Sequence, residues 1–235
     1  MVTTREVAMM IDHSLLRPNL TLEEIRAGLE LAKKYETISV CVHPCDVAMS
    51  CELLKDTDVK VTTVIGFPHG SHTTQVKLFE SRVAIDDGAV ELDMVINIGR
   101  MLSGEFDYVR DEISAIVDLA HKEDLLVKVI LENCYLNNEL IKKGCELCEE
   151  AGADFVKTST GFGPGGATIG DLELMRSSCS AKVSVKAAGG VRTLEAALRV
   201  RKAGASRLGA TATKEILEES LRREKAKGII EYMFL

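Results

Sequence analysis

Val90-Glu91-Leu92-Asp93-Met94-Val95-Ile96-Asn97 reads as a strand whose two faces differ in kind. Alternate side chains of an extended chain point to opposite sides, so Leu92, Met94 and Ile96 share an apolar face while Glu91, Asp93, Val95 and Asn97 share the other. Carboxylates on one side of an otherwise apolar strand suit the inside of a barrel whose outer surface is covered by helices. The pattern recurs at Val183-Ser184-Val185-Lys186, with both valines outward and Ser184 and Lys186 inward. Lys128 and Glu132 likewise share one side of their strand.

Outward from these runs, β-branched segments predict strands near residues 8–11, 38–43, 59–65, 90–97, 125–131, 155–158, 183–187 and 207–209. Between them, Leu22, Ile25, Leu29 and Ala32, or Ile113, Ile116, Val117 and Ala120, follow the helical period with one buried face. Eight strand-and-helix units predict an α/β fold, a (β/α)8 TIM barrel, as a single domain over residues 1–235. Gly88-Ala89, Gly152-Ala153 and Gly204-Ala205 each stand between a helix and the next strand, where glycine can end the helix in a left-handed conformation.

With 46% hydrophobic residues the chain can bury a sizeable core, and a net charge of −7 disfavours a nucleic-acid or anionic-membrane surface. No apolar run is long enough to span a membrane and no signal peptide is evident, so a cytoplasmic protein acting on a small solute is expected. Seven cysteines, an odd number, are read as reduced thiols. Cys145 and Cys148 form a lone C-x-x-C in a helical pattern, and Cys41, His43 and Cys45 lack a fourth ligand, so no metal site is expected.

Asp154-Phe155-Val156-Lys157-Thr158-Ser159-Thr160-Gly161 carries a lysine at the end of an apolar run. Such a lysine either snorkels into solvent or serves as an amine nucleophile of lowered pKa. Asp93, Lys128, Lys157 and Lys186 fall at or near interior positions on four strands. A purely structural network would favour balanced pairs, whereas three lysines near the mouth set cation beside cation, which lowers a lysine's pKa and favours the catalytic reading. Downstream, Ala187-Ala188-Gly189-Gly190-Val191-Arg192-Thr193 and Arg207-Leu208-Gly209-Ala210-Thr211 each lead from a strand into a helix. Glycine turns there expose backbone N–H groups and a helix N-terminus to an anion, at the two loops where barrels commonly hold phosphate. The expected ligand is a phosphorylated small molecule whose carbonyl reaches a lysine.

This combination resembles the class I 2-deoxyribose-5-phosphate aldolases, through Ile11-Asp12-His13-Ser14-Leu15-Leu16, Val40-Cys41-Val42, Gly66-Phe67-Pro68, the Glu91 and Asp154 stretches, and Lys186 to Thr193. Lys157-Thr158-Ser159-Thr160-Gly161 is the most specific of them. The resemblance implies that Lys157 forms the Schiff base, that Lys186 lowers its pKa and that Asp93 serves proton transfer. It also implies that Asp12, Ser14 and Cys41 line the sugar pocket, and that Gly161, Gly189, Gly190, Arg192, Gly209 and Thr211 lie in the phosphate loops. Lys128 and Thr158 join them as expected substrate contacts. No metal and no cofactor are implied; a phosphorylated sugar is the expected partner, and a homo-oligomer, dimer or tetramer, the expected assembly.

The chain departs from the family pattern at His43, Asn133 and Ala188, and the last loop reads Gly-Ala-Thr-Ala, ending at Ala212, where serines are frequent. Tyr232, three residues from the end, stands near where some members keep a proton-shuttling tyrosine. Three rivals remain on sequence alone: a lysine aldolase for another sugar phosphate, a metal-dependent aldolase, and a non-catalytic sugar-phosphate sensor.

Overall fold

In the computed structural model, which describes residues 2–227, eight parallel strands close into a barrel in sequence order, with β8 returning to β1. The strands are β1 (Ile11–Leu15), β2 (Ser39–Val42), β3 (Lys60–Ile65), β4 (Glu91–Val95), β5 (Leu126–Ile130), β6 (Phe155–Lys157), β7 (Ser184–Ala187) and β8 (Arg207–Ala210). Around them run α1 (Thr4–Ala8), α2 (Leu22–Tyr35), α3 (Val47–Leu54), α4 (Thr74–Asp86), α5 (Ile98–Leu102), α6 (Phe106–His121), α7 (Asn138–Glu150), α8 (Ile169–Ser178), α9 (Leu194–Lys202) and α10 (Thr213–Lys227).

Local chemistry sets these boundaries. At α2 the Thr21 hydroxyl accepts from the Glu24 N–H while the Glu24 carboxylate accepts from the Thr21 N–H, a reciprocal cap. Ile25, Leu29 and Ala32 then turn inward together. Gly88, Gly152 and Gly204 adopt φ of 101°, 79° and 104°, releasing the chain from α4, α7 and α9 into the following strands.

The first strand lies later than the sequence predicts. Residues 4–8 are helical, because Thr3 and Glu6 form another reciprocal cap, and β1 begins at Ile11, where the expected strand would end. Consecutive polar residues Asp12, His13 and Ser14 disguise it as a loop; their cost is met inside the barrel and against α10, where His13 Nδ1 lies 2.8 Å from Thr213 Oγ1.

Two cores result. Between sheet and helices lies a continuous apolar shell that includes Ile11, Val40, Leu92, Met94, Val129, Val156 and Val185. Inside the barrel a charged set is buried: Asp12, Glu91, Asp93, Lys128, Lys157, Lys186 and Arg207. Burial of charge is tolerable only with close pairing, and that pairing builds the site.

Candidate active site

The ionic interior is organised from its floor upward. Lys128 donates to Glu91 at 2.5 Å and to Asp93 at 2.9 Å. Arg207 donates through Nε to Asp12 at 2.7 Å and through Nη2 to Glu91 at 2.8 Å. Higher up, Lys186 donates to Asp93 Oδ2 at 2.6 Å and pairs closely with Asp12. Lys157 reaches the same Asp93 oxygen at 2.7 Å. Four cations thus face three carboxylates.

That surplus decides which group gives way. Burial alone would raise Asp93, but Lys128, Lys157 and Lys186 together hold it well below the usual carboxylate range. Burial opposes charge on Lys186 and Arg207 as well, yet two carboxylates apiece carry both above their ordinary values. Lys128 also rises, Asp93 and Glu91 outweighing its burial. Lys157 alone among the four falls: burial lowers it, Asp93 pulls it back, and the neighbouring Lys186 cation lowers it again. Three ammonium or guanidinium groups match three carboxylates, and the remaining amine is the one that most readily loses its proton.

Lys157 is also placed to react. It and Lys186 reach the base of a cavity of about 240 Å³ at the carboxyl ends of the strands, where barrel enzymes build their sites. Asp12, Ser14 and Cys41 line the wall beside them, and burial with the Asp93 charge pushes the Cys41 thiol up to about 11, so it stays protonated. At the outer end stand Gly189, Gly190 and Arg192 after β7, Gly209 and Thr211 at the end of β8, and Gly161 after β6.

The loops are held to each other. Gly189 and Gly190 have φ of 82° and 90°, and the Ala167 N–H donates to the carbonyls of Ala188 and Gly189 at 2.9 and 3.1 Å. A Cβ on Gly166 would stand 2.5 Å from the Gly189 carbonyl oxygen, so the β6 and β7 loops touch because both lack side chains there. Thr193 caps α9 by accepting from the Ala196 N–H, aiming the positive end of that helix at the same loop.

Some expected residues stand elsewhere. Lys128 lies a layer below the cavity, fully buried, so the mouth holds two lysines rather than three. The side chain of Thr158 is turned into the wall, where its hydroxyl donates to the Ala188 carbonyl and accepts from the Ala188 N–H. Glu132 is past the end of β5 in a left-handed conformation, not on the strand, and its carboxylate accepts from the Thr160 N–H and hydroxyl. Asn97 is likewise past its strand and caps α5. Of the departing positions, Ala188 lines the cavity, His43 lines a neighbouring hollow with Phe67 and Pro68, and Asn133 is buried with Nδ2 3.2 Å from Met175 Sδ. Tyr232 falls outside the described residues.

Arg207 and Glu91 complete the network; Arg207 has no evident role in one dimension, because its partner Asp12 lies 195 residues away in the chain. Thr160, Phe162 and Arg17 also line the cavity. Among the described residues no group of three or more His, Cys, Asp or Glu side chains could hold a metal ion, and no helix is long and apolar enough to cross a membrane.

Residues 6–217 match the model of the DeoC/LacD family of aldolases. A deoxyribose-phosphate aldolase of Caldanaerobacter subterraneus subsp. tengcongensis is 53% identical over 91% of this chain and 93% of its own length. One from Thermococcus gammatolerans is 50% identical over 93% of this chain and 98% of its own. Among solved structures, the deoxyribose phosphate aldolase of Aeropyrum pernix, described as a unique tetramer, superposes with a TM-score of 0.86 at 31% identity, covering 97% of this chain and 94% of that one. Shared fold and shared sequence lead to one assignment: the chain belongs to the DeoC/LacD aldolase family.

Proposed function

We propose that the protein reversibly cleaves 2-deoxy-D-ribose 5-phosphate to acetaldehyde and D-glyceraldehyde 3-phosphate through a Schiff base on Lys157. The observation that carries this reading is the surplus cation: one buried amine of depressed pKa opens into a cavity rimmed by glycine loops. Relatives of about half-identical sequence that bear the name deoxyribose-phosphate aldolase support the substrate.

Neutral Lys157 adds through Nζ to the C1 aldehyde, and the carbinolamine hydroxyl, taking one proton from solvent, leaves as water to give an iminium. Asp93, already bonded to Nζ, stays beside the new cation and stabilises it. The C2–C3 bond then breaks; its electron pair passes into the iminium to give an enamine as the C3 hydroxyl loses its proton. Asp93 does not line the cavity and is held strongly acidic, so a water bound by Lys186 and Asp93 carries that proton. Glyceraldehyde 3-phosphate departs, the enamine is protonated at C2, and hydrolysis releases acetaldehyde and the free amine. Anchoring the phosphate at the rim fixes C1 over Lys157 and lowers the entropic part of the barrier.

In this reading the chain acts as one domain and as a homo-oligomer, dimer or tetramer, which the tetrameric Aeropyrum relative supports. Seven free thiols fit a cytoplasmic setting. Incubation with 2-deoxyribose 5-phosphate should yield both aldehydes, detected by coupled reduction. Folded protein that forms neither would contradict the proposal.

A further inference from the structure

The rim of the cavity holds a cation that neither the glycine loops nor the reacting network accounts for. Arg17 follows β1 and immediately precedes Pro18, which keeps its backbone extended. Its side chain lines the cavity together with Arg192. Because the barrel closes β8 onto β1, with Asp12 paired to Gly209, the β1 loop adjoins the β8 loop on one side as the β7 loop does on the other. The two arginines therefore flank Gly209, Ala210 and Thr211.

The charges lining the cavity are Asp12, Lys186, Lys157, Arg17 and Arg192. The first three are paired within the network. Arg17 and Arg192 are exposed, and among the described residues neither takes part in an ion pair with a carboxylate. Glu24, the acidic neighbour that Arg17 influences, is itself occupied by the Thr21 N–H and hydroxyl. A phosphate monoester carries close to two negative charges at neutral pH. The β8 loop offers it small residues and one threonine, while two guanidinium forks stand on either side.

We propose that Arg17 is a specificity-determining residue, a second guanidinium that grips the phosphate opposite Arg192 and selects phosphorylated over free sugars. This inference rests on the substrate class given above. It assigns the β1 loop, far in sequence from the glycine turns, a part in reading the anion, and it supplies the charge that the short side chains of the β8 loop do not.

The test compares kcat and KM for 2-deoxyribose 5-phosphate and for unphosphorylated 2-deoxyribose in wild type, Arg17→Ala and Arg17→Lys. Loss of one charged hydrogen-bonding group should raise KM for the phosphate ester roughly tenfold, with kcat changed far less. The preference for the ester should fall by a similar factor, and Arg17→Lys should restore part of it. Equal losses on the two sugars, or an unchanged KM for the ester, would overturn the assignment. Calorimetric titration with inorganic phosphate provides a readout independent of turnover: weaker binding in Arg17→Ala is expected, and unchanged binding overturns the clamp. Should wild type cleave neither sugar, the substrate assignment fails, while the phosphate titration still decides the role of Arg17.

Discussion

Two buried lysines in this molecule sit at nearly the same distance from a carboxylate and have different fates. Lys77 on α4 donates to Glu112 of α6 at 2.8 Å and to the Val95 carbonyl at 2.7 Å; both side chains of that pair are wholly buried. Lys157 donates to Asp93 at 2.7 Å. Burial is the leading cause of a lowered pKa in each lysine. The difference lies in company and access. Lys77 pairs with Glu112 and does not line the cavity that Lys157 reaches, whereas Lys157 shares Asp93 with Lys128 and Lys186 and opens onto it. A buried pair is therefore not enough to make a reactive amine; a local excess of cations and a route to substrate are also required.

Substitutions at the two lysines should separate these roles. Lys157→Leu should abolish aldol cleavage, with kcat falling by roughly four orders of magnitude or more as the covalent route disappears, while thermal melting shows the fold retained. Lys77→Met should do the reverse. Removing one partner strands Glu112, at a cost of about 3–5 kcal/mol in urea denaturation, yet acetaldehyde should still be trapped on Lys157. Loss of trapping in a folded Lys77→Met protein would erase the distinction.

His13 shows a third way to house a buried base: it stays neutral. Burial lowers its pKa from 6.5 to about 4, the Glu215 charge opposing only in part. The unfolded chain takes up this proton near pH 6.5 and the folded chain only near pH 4, so stability from this residue is complete above 6.5 and is lost as pH falls through 4. The contribution is on the order of 3 kcal/mol. His13→Gln should flatten the acid limb of a stability profile between these values; an unchanged limb would assign it to the carboxylates instead.

A smaller effect isolates the cation beside the nucleophile. Lys186→Leu removes a positive neighbour of Lys157, so the amine regains basicity and adduct formation should require a higher pH. A pH profile identical to wild type would show that burial alone depresses Lys157.

Much of this contrast is legible in one dimension, and the missing parts share a cause. Period-2 alternation places Asp93 and Lys186 inside, and glycine turns mark the loops that rim the cavity. The first strand is hidden by Asp12, His13 and Ser14; Asp12 finds partners on β5, β7 and β8 and His13 one on α10, all far away in the chain. Arg207 reads as an ordinary strand residue until closure brings Asp12 and Glu91 to it. Arg17 likewise joins the rim only because β8 returns to β1. Lys128 could be placed on the correct face but not at its depth, since the stagger of a closed barrel sets which layer a side chain occupies. Thr158 and Glu132 depend on loop geometry that alternation does not encode.

Lys157 is expected to be the one amine of the network that forms an imine. Borohydride reduction with acetaldehyde present, followed by peptide mass mapping across a pH series, tests this directly. The expected result is a single adduct on Lys157, formed at a pH below that at which an ordinary lysine becomes neutral, with Lys186 and Lys128 unmodified. Modification of Lys186 in preference, or an unmodified Lys157 in folded protein, would contradict it.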